Sequence, residues 1–158
     1  MDKIKTLEEL NAIVEAEKAA GKTIVFANGV FDILHVGHVR YLQAARKMGD
    51  ILIVAVNDDD SVRRLKGEGR PLMPIEERME ILSALSCVDY IIKFSEPTVS
   101  NLLLALKPHI QVKGTDYTED SVPERDVVMS YGGRVAIAGD PKDRSTTGYM
   151  AKIKGSGS

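Results

Sequence analysis

The chain has a single cysteine, Cys87, and no tryptophan in 158 residues. One thiol cannot build an internal disulfide framework or a cysteine-based zinc cluster, and this usage fits a reducing, cytoplasmic setting. No apolar run approaches the roughly 20 residues that cross a bilayer, so no membrane partner is expected. The opening MDKIKTLEEL lacks the apolar stretch of a secretory signal. Charge of one sign is also missing: 21 Lys plus Arg stand against 23 Asp plus Glu, a net charge of −2. A general nucleic-acid binder carries a basic surplus, so nucleic acid is not an expected partner. Several catalytic signatures are absent as well: G-x-x-x-x-G-K-[ST], G-x-G-x-x-G and G-x-S-x-G. Cys87, inside an apolar stretch, reads as a core thiol rather than a nucleophile.

With 44% apolar and 28% charged residues, the chain is a folding sequence of single-domain length. We take residues 1–154 as one domain and Gly155-Ser156-Gly157-Ser158 as an appended tail. Leu7, Leu10, Ile13 and Val14 at helical spacing, with Thr6 and Glu9 as a capping box, predict a helix over about 6–20 closed by Gly21. Thr23–Ala27 reads as a strand. A turn through Asn28-Gly29 then leads to a helix with Val39, Leu42, Ala45 and Met48 inside, stopped by Gly49. The run Ile51–Val56 has the unbroken apolarity of a strand covered on both faces. Pro74 is expected as a first helical residue before the stripe Ile75, Met79, Leu82 and Leu85. Strands over Val88–Phe94, His109–Lys113 and Arg134–Ala138 alternate with helices over Val99–Leu106, Val122–Met129 and Ser145–Ile153. This alternation predicts an α/β fold: a five-stranded parallel sheet, wound by right-handed crossovers, with helices on both faces.

Open parallel sheets bind ligands at the carboxyl ends of their strands. His35 and His38 follow strand one, Lys66 and Arg70 follow strand two, Lys113 ends strand four, and Arg144 with Ser145, Thr146 and Thr147 follows strand five. In a near-neutral chain this gathering of cationic and hydroxyl groups points to a phosphate site, although loops are commonly polar. The pair His35-Val36-Gly37-His38 is the sharpest feature. Two imidazoles three positions apart at a helix start share one face with free backbone N–H groups, and Gly37 clears the approach for an anion. Such a pocket suits phosphoryl transfer, where catalysis is mostly positioning and electrostatics. Two His without Cys or a third His make a poor zinc set. The Ser145-Thr146-Thr147 run is explained equally by helix capping or by phosphate binding. Asp58-Asp59-Asp60, opening a helix, reads as capping and solvated charge.

The strings GVFDILHVGH and RSTT resemble the H-x-G-H nucleotidyltransferase superfamily, whose Rossmann-like members join a nucleoside monophosphate to a phosphate-bearing acceptor and release pyrophosphate. The longer stretch FANGVFDILHVGHVRYLQAARKMGDILIVAVNDDDSVRRLKGEGRP, with PIEERMEIL and VKGTDY, is similar to the D-glycero-β-D-manno-heptose 1-phosphate adenylyltransferases, which make ADP-heptose for lipopolysaccharide. The resemblance covers Lys3 to Ile153. It implies ATP and a sugar 1-phosphate as substrates, Mg²⁺ entering with ATP, a homodimer, and an upstream sugar kinase that is separate or fused. It implies that Gly29, Val30 and Phe31 line the nucleotide with backbone and that His35, Gly37 and His38 meet its phosphates. Lys66 would act from a loop with Arg70 as a weaker partner. Lys113, Gly114 and Asp116 would shape the nucleoside and sugar side, and Ser145, Thr146 and Thr147 would hold the triphosphate end. Arg78 and Arg144 are further phosphate candidates, Arg78 doubling as an ordinary exposed helical residue. Ala27 and Thr115 depart from the FTNG and KGGDY spellings common among the heptose enzymes. The alternative within the superfamily is a cytidylyltransferase using CTP and glycerol 3-phosphate or a similar alcohol phosphate. From another class, a non-catalytic nucleotide-binding module would keep the same cleft.

Overall fold

Thr6 opens α1 (Leu7–Ala19) as a capping box: its hydroxyl accepts the Glu9 N–H at 3.2 Å, and the Glu9 carboxylate accepts the Thr6 N–H at 2.9 Å. Gly21, with φ +82°, takes the left-handed turn that ends this helix. The computed structural model describes residues 2–139. After α1 come β1 (Ile24–Gly29), α2 (Val36–Arg46), β2 (Ile51–Asn57), α3 (Asp59–Lys66) and α4 (Ile75–Ser83). They are followed by β3 (Tyr90–Phe94), α5 (Ser100–Leu106), β4 (Ile110–Lys113), α6 (Arg125–Ser130) and β5 (Arg134–Ile137). The expected last helix over Ser145–Ile153 lies outside the described residues, as do Arg144, Ser145, Thr146 and Thr147.

All strand pairs are parallel and the order is β3-β2-β1-β4-β5. The period-2 alternation of β1 and β2 divides the core. Val25, Ala27, Leu52, Val54 and Val56 face α2 and α4, packing with Leu42, Ala45, Met79 and Leu82. Ile24, Phe26, Ile51, Ile53 and Ala55 face α1, α5 and α6, packing with Leu10, Val14, Leu103 and Val128. Every residue of β2 is buried, as its unbroken apolar run requires. Truncating a fully buried ring such as Phe26 to Ala would cost about 3–5 kcal/mol. The expected parallel sheet with helices on both faces is therefore observed.

Local differences have local causes. Asn28 and Gly29 do not turn but complete β1, paired with Ala55 and Val56. Pro74 is the N-cap of α4, extended at ψ 157°, and not its first helical residue. Strand β3 starts at Tyr90 rather than Val88, because the Asp89 carboxylate caps the neighbouring strand by accepting the Leu52 N–H at 2.8 Å. Helix α6 starts at Arg125 rather than Val122, since Thr118 and Ser121 close a turn on each other first. Ile4 adds an unexpected bridge to Ile91, extending the edge beside β3. Cys87 packs partly buried against the core, and burial pushes its thiol up, which is the behaviour of an inert thiol.

Candidate active site

Strand order reverses between β1 and β4, and there the two strands part. Pairing of β1 with β4 ends at Ala27↔Val112, whereas pairing with β2 continues to Gly29↔Val56. The cleft that opens is about 520 Å³, at the switch point where α/β sheets bind ligands. Gly29, Val30, Phe31, His35, Gly37, His38, Lys66, Arg70, Lys113, Gly114 and Asp116 all line it, so one cavity collects the candidates of three segments. Thr115, Asn28, Tyr117 and Glu124 join them there.

The β1–α2 loop is strained. Phe31 and Ile33 have φ of +53° and +57°, a left-handed conformation that costs a non-glycine residue on the order of 1–3 kcal/mol. Two buried charges hold it. Asp32 accepts the N–H groups of Leu72 and Met73 at 2.8 and 3.0 Å and Arg70 Nε at 3.0 Å. Burial alone would raise its carboxyl, but these N–H groups and the guanidinium outweigh that and hold it below its ordinary value. Arg78 is fully buried, donating from Nε to Met73 O at 2.9 Å, from Nη1 to Val30 O at 2.8 Å and Asn57 O at 2.7 Å, and from Nη2 to Asp59 at 2.6 Å. Arg78 is therefore neither exposed nor among the residues lining the cleft: its donors are engaged in tying the end of β1 to the end of β2. Asp58 caps α3 through the Ser61 N–H at 2.8 Å, Asp59 meets Arg78 and Asp60 pairs with Arg63. The acidic run thus caps and clamps. Gly29 packs closely, since a Cβ there would stand 3.1 Å from the Phe31 ring, which would have to give by a few tenths of an ångström.

His35 is the N-cap of α2 and His38 lies one turn in, their rings stacked 4.1 Å apart. The Gly37 N–H donates to His35 Nδ1 at 3.0 Å, and the His35 N–H donates to His38 Nδ1 at 3.3 Å. An Nδ1 that accepts leaves the ring proton on Nε2, so each neutral imidazole is a fixed Nε2–H donor. Burial, then the neighbouring His35, brings His38 from its ordinary 6.5 to about 4, and burial also lowers His35. At neutral pH the two rings are therefore uncharged donors at a helix N-terminus. Across the cleft, burial pushes the Lys113 ammonium down while Glu124 and Asp116 push it back up, and its Nζ stands 4.9 Å from the Tyr117 ring centre. Lys66, exposed at the end of α3, reaches the cleft from its mouth. Among the described residues no three of His, Cys, Asp and Glu gather as a metal-ligating group. No described helix is long and apolar enough to cross a membrane.

Asp32 and Glu124 were missed by the sequence reading. Asp32 did signal itself, as a charge between apolar Phe31 and Ile33. Glu124, in a run of charged residues, gave no sign.

A parallel sheet with an anion-ready cleft at its switch point defines a nucleotide-binding α/β protein. The cytidylyltransferase-like family matches residues 26–153, and the chain belongs to that family. The chain is 55% identical over 151 residues to the "Bifunctional protein HldE" of Geobacter sulfurreducens, and 56% to that of Geobacter metallireducens, covering 96% of this chain in both cases. It spans 31% of the length of these relatives. A solved structure described as a lipopolysaccharide core biosynthesis protein from Thermoplasma volcanium superposes with a TM-score of 0.65 at 32% identity, covering 75% of this chain and 97% of that one. Pantothenate synthetase from Thermus thermophilus, at 18% identity and a TM-score of 0.57, shares the fold.

Proposed function

We propose that this chain is an adenylyltransferase that transfers AMP from ATP to D-glycero-β-D-manno-heptose 1-phosphate, giving ADP-heptose and pyrophosphate. The observation that carries the proposal is the stacked His35–His38 pair, with both Nδ1 atoms engaged by backbone N–H groups at the start of α2. A phosphate oxygen of the acceptor attacks the α-phosphorus, the bond from that phosphorus to the bridging oxygen breaks, and pyrophosphate leaves with the electron pair. No covalent enzyme intermediate and no strong base are needed, because a sugar phosphate is already anionic near neutrality.

His35, His38 and the α2 N-terminus donate to charge that builds on the phosphates, and Lys66 adds a cation at the mouth. Lys113, Gly114 and Asp116 shape the nucleoside and sugar side, with Ser145, Thr146 and Thr147 at the triphosphate end. Arg70 and Arg144 are weaker phosphate partners, whereas Arg78 contributes by clamping. Three carboxylates line the cleft; Asp32 is committed to Arg70 and the Leu72 and Met73 N–H groups and Glu124 accepts from Gln111, so Asp116 is the carboxylate that would hold magnesium together with substrate phosphates and water. When bound, it offsets triphosphate charge.

Residues 1–154 act as one domain, in the cytoplasm and as a homodimer. A sugar kinase, fused or separate, supplies the acceptor. The test is pyrophosphate release with ATP and CTP each crossed with heptose 1-phosphate and glycerol 3-phosphate. Release with ATP and the heptose phosphate is expected. Preference for CTP with glycerol 3-phosphate, or nucleotide binding without product from any pair, would overturn the reading.

A further inference from the structure

Of the three carboxylates that line the cleft, Asp32 is engaged by Arg70 and two backbone N–H groups, and the other buried one needs an explanation. Glu124, immediately before α6, lines the cleft and is only 6% exposed. Among the described residues, its carboxylate accepts one hydrogen bond, from Gln111 Nε2 at 3.2 Å. The same amide nitrogen donates to Asn28 Oδ1 at 3.1 Å, and the Gln111 Oε1 is buried without a partner among the described residues. Gln111 is thus fixed with its donors toward Asn28 and Glu124, orienting the carboxylate from below. An ionised carboxylate offers about four lone-pair positions, and burying one with a single neutral donor is costly. The charge of Lys113 is close enough to feel Glu124 but is itself poorly solvated.

What completes Glu124 is constrained by its sign. A phosphate would be repelled, and a cation, Lys113, already stands close enough to feel the carboxylate, so what a substrate can add is a hydrogen-bond donor. Both proposed substrates carry such groups as hydroxyls, on the ribose of the nucleotide and on the ring of the acceptor sugar.

We propose that Glu124 is a specificity-determining residue that accepts hydrogen bonds from hydroxyls of a substrate sugar, with Gln111 as the positioning residue that aims it. The proposal rests on the nucleotidyl-transfer reading and names the hydroxyl-recognising end of that site. Losing a hydrogen bond to a charged group corresponds to about a tenfold to hundredfold weakening. Steady-state kinetics of Glu124→Gln should therefore show KM for one substrate raised by about tenfold or more, with kcat changed far less. Glu124→Asp should fall between this variant and the parent, and Gln111→Leu should raise KM for the same substrate by a smaller factor.

Two sources of hydroxyl are separated by analogues. If the ribose is read, the parent protein discriminates between ATP and 2′- or 3′-deoxy-ATP, and E124Q loses that discrimination. If the acceptor sugar is read, its KM rises while the ATP to deoxy-ATP ratio is unchanged. Calorimetric titration with ATP and the deoxy analogues gives the ribose result without turnover, so failure of the adenylyl-transfer reading remains distinguishable from failure of this one. Unchanged KM for both substrates in folded E124Q overturns the proposal. So does a raised KM for ATP with discrimination intact, which would point to the base rather than to a hydroxyl.

Discussion

The ends of β1 and β4 face each other across the cleft and are furnished in opposite ways. At β1, two imidazoles are neutral at pH 7, aimed by backbone N–H groups and backed by a loop that Asp32 and Arg78 clamp from beneath. At β4, Lys113 feels the carboxylates of Glu124 and Asp116, and among the described residues the Glu124 carboxylate accepts a single hydrogen bond. The contrast teaches a division of labour. Fixed uncharged donors stabilise charge that appears during reaction without reorganising, which is the most effective arrangement for a transition state. Charged groups with spare valence instead distinguish ligands by what they offer in return.

The largest effect that could break this comparison is catalytic. His38→Ala should reduce kcat by about 10²–10³-fold, as expected for removing one preorganised donor, with circular dichroism and thermal midpoint close to the parent's. Near-parental turnover would remove the β1 end from the chemistry. The next effect is structural. Arg78→Leu strands the acceptors at Val30, Met73, Asn57 and Asp59, and should cost about 3–5 kcal/mol in urea unfolding, the range for breaking a buried charged network. A loss well below that would mean that the strained loop stands without its clamp.

That clamp shows what could be seen in advance. The β2 strand was legible because ILIVAV satisfies burial on both faces, and the His pair because a glycine-bearing helix start after a strand has few other uses. Arg78 was readable too, since it lies in the stripe of Ile75, Met79 and Leu82 and so had to enter the interior. Neither a phosphate-binding role nor an exposed position, the two readings its residue type suggests, fits a guanidinium whose nitrogens all donate inside the fold. The neutral state of His38 was not legible, because desolvation depends on the Phe31 ring, 5.6 Å away, and on a loop conformation that no local propensity favours. The Gln111–Glu124 contact was equally hidden, joining a strand to a helix cap 13 positions later.

A smaller effect sharpens the comparison at the cleft mouth. Lys66 is exposed and far less constrained than the His pair, so Lys66→Ala should raise KM for a phosphate-bearing substrate by about tenfold with stability unchanged. Unaltered kinetics would show that the end of α3 stays away from the substrates.

The last effect is the dependence of stability on pH, and its sign follows from the His rings. His38 binds its proton at about 4 when folded against an ordinary 6.5, so between those values the unfolded chain holds more protons and stability rises with pH. The contribution is full above 6.5 and is lost as pH falls toward 4. His35 and His109, both lowered by burial, act in the same direction, whereas Asp32, held below its ordinary 3.8, adds its loss only under more acid conditions. Thermal midpoints measured from pH 7.5 down to about 4.5 should therefore decline less steeply in His38→Ala than in the parent. Parallel curves would mean that the ring is solvated enough to protonate in the folded protein. The β1 end would then become cationic as pH falls through 6.5, and the contrast between the two strand ends would hold only above that value.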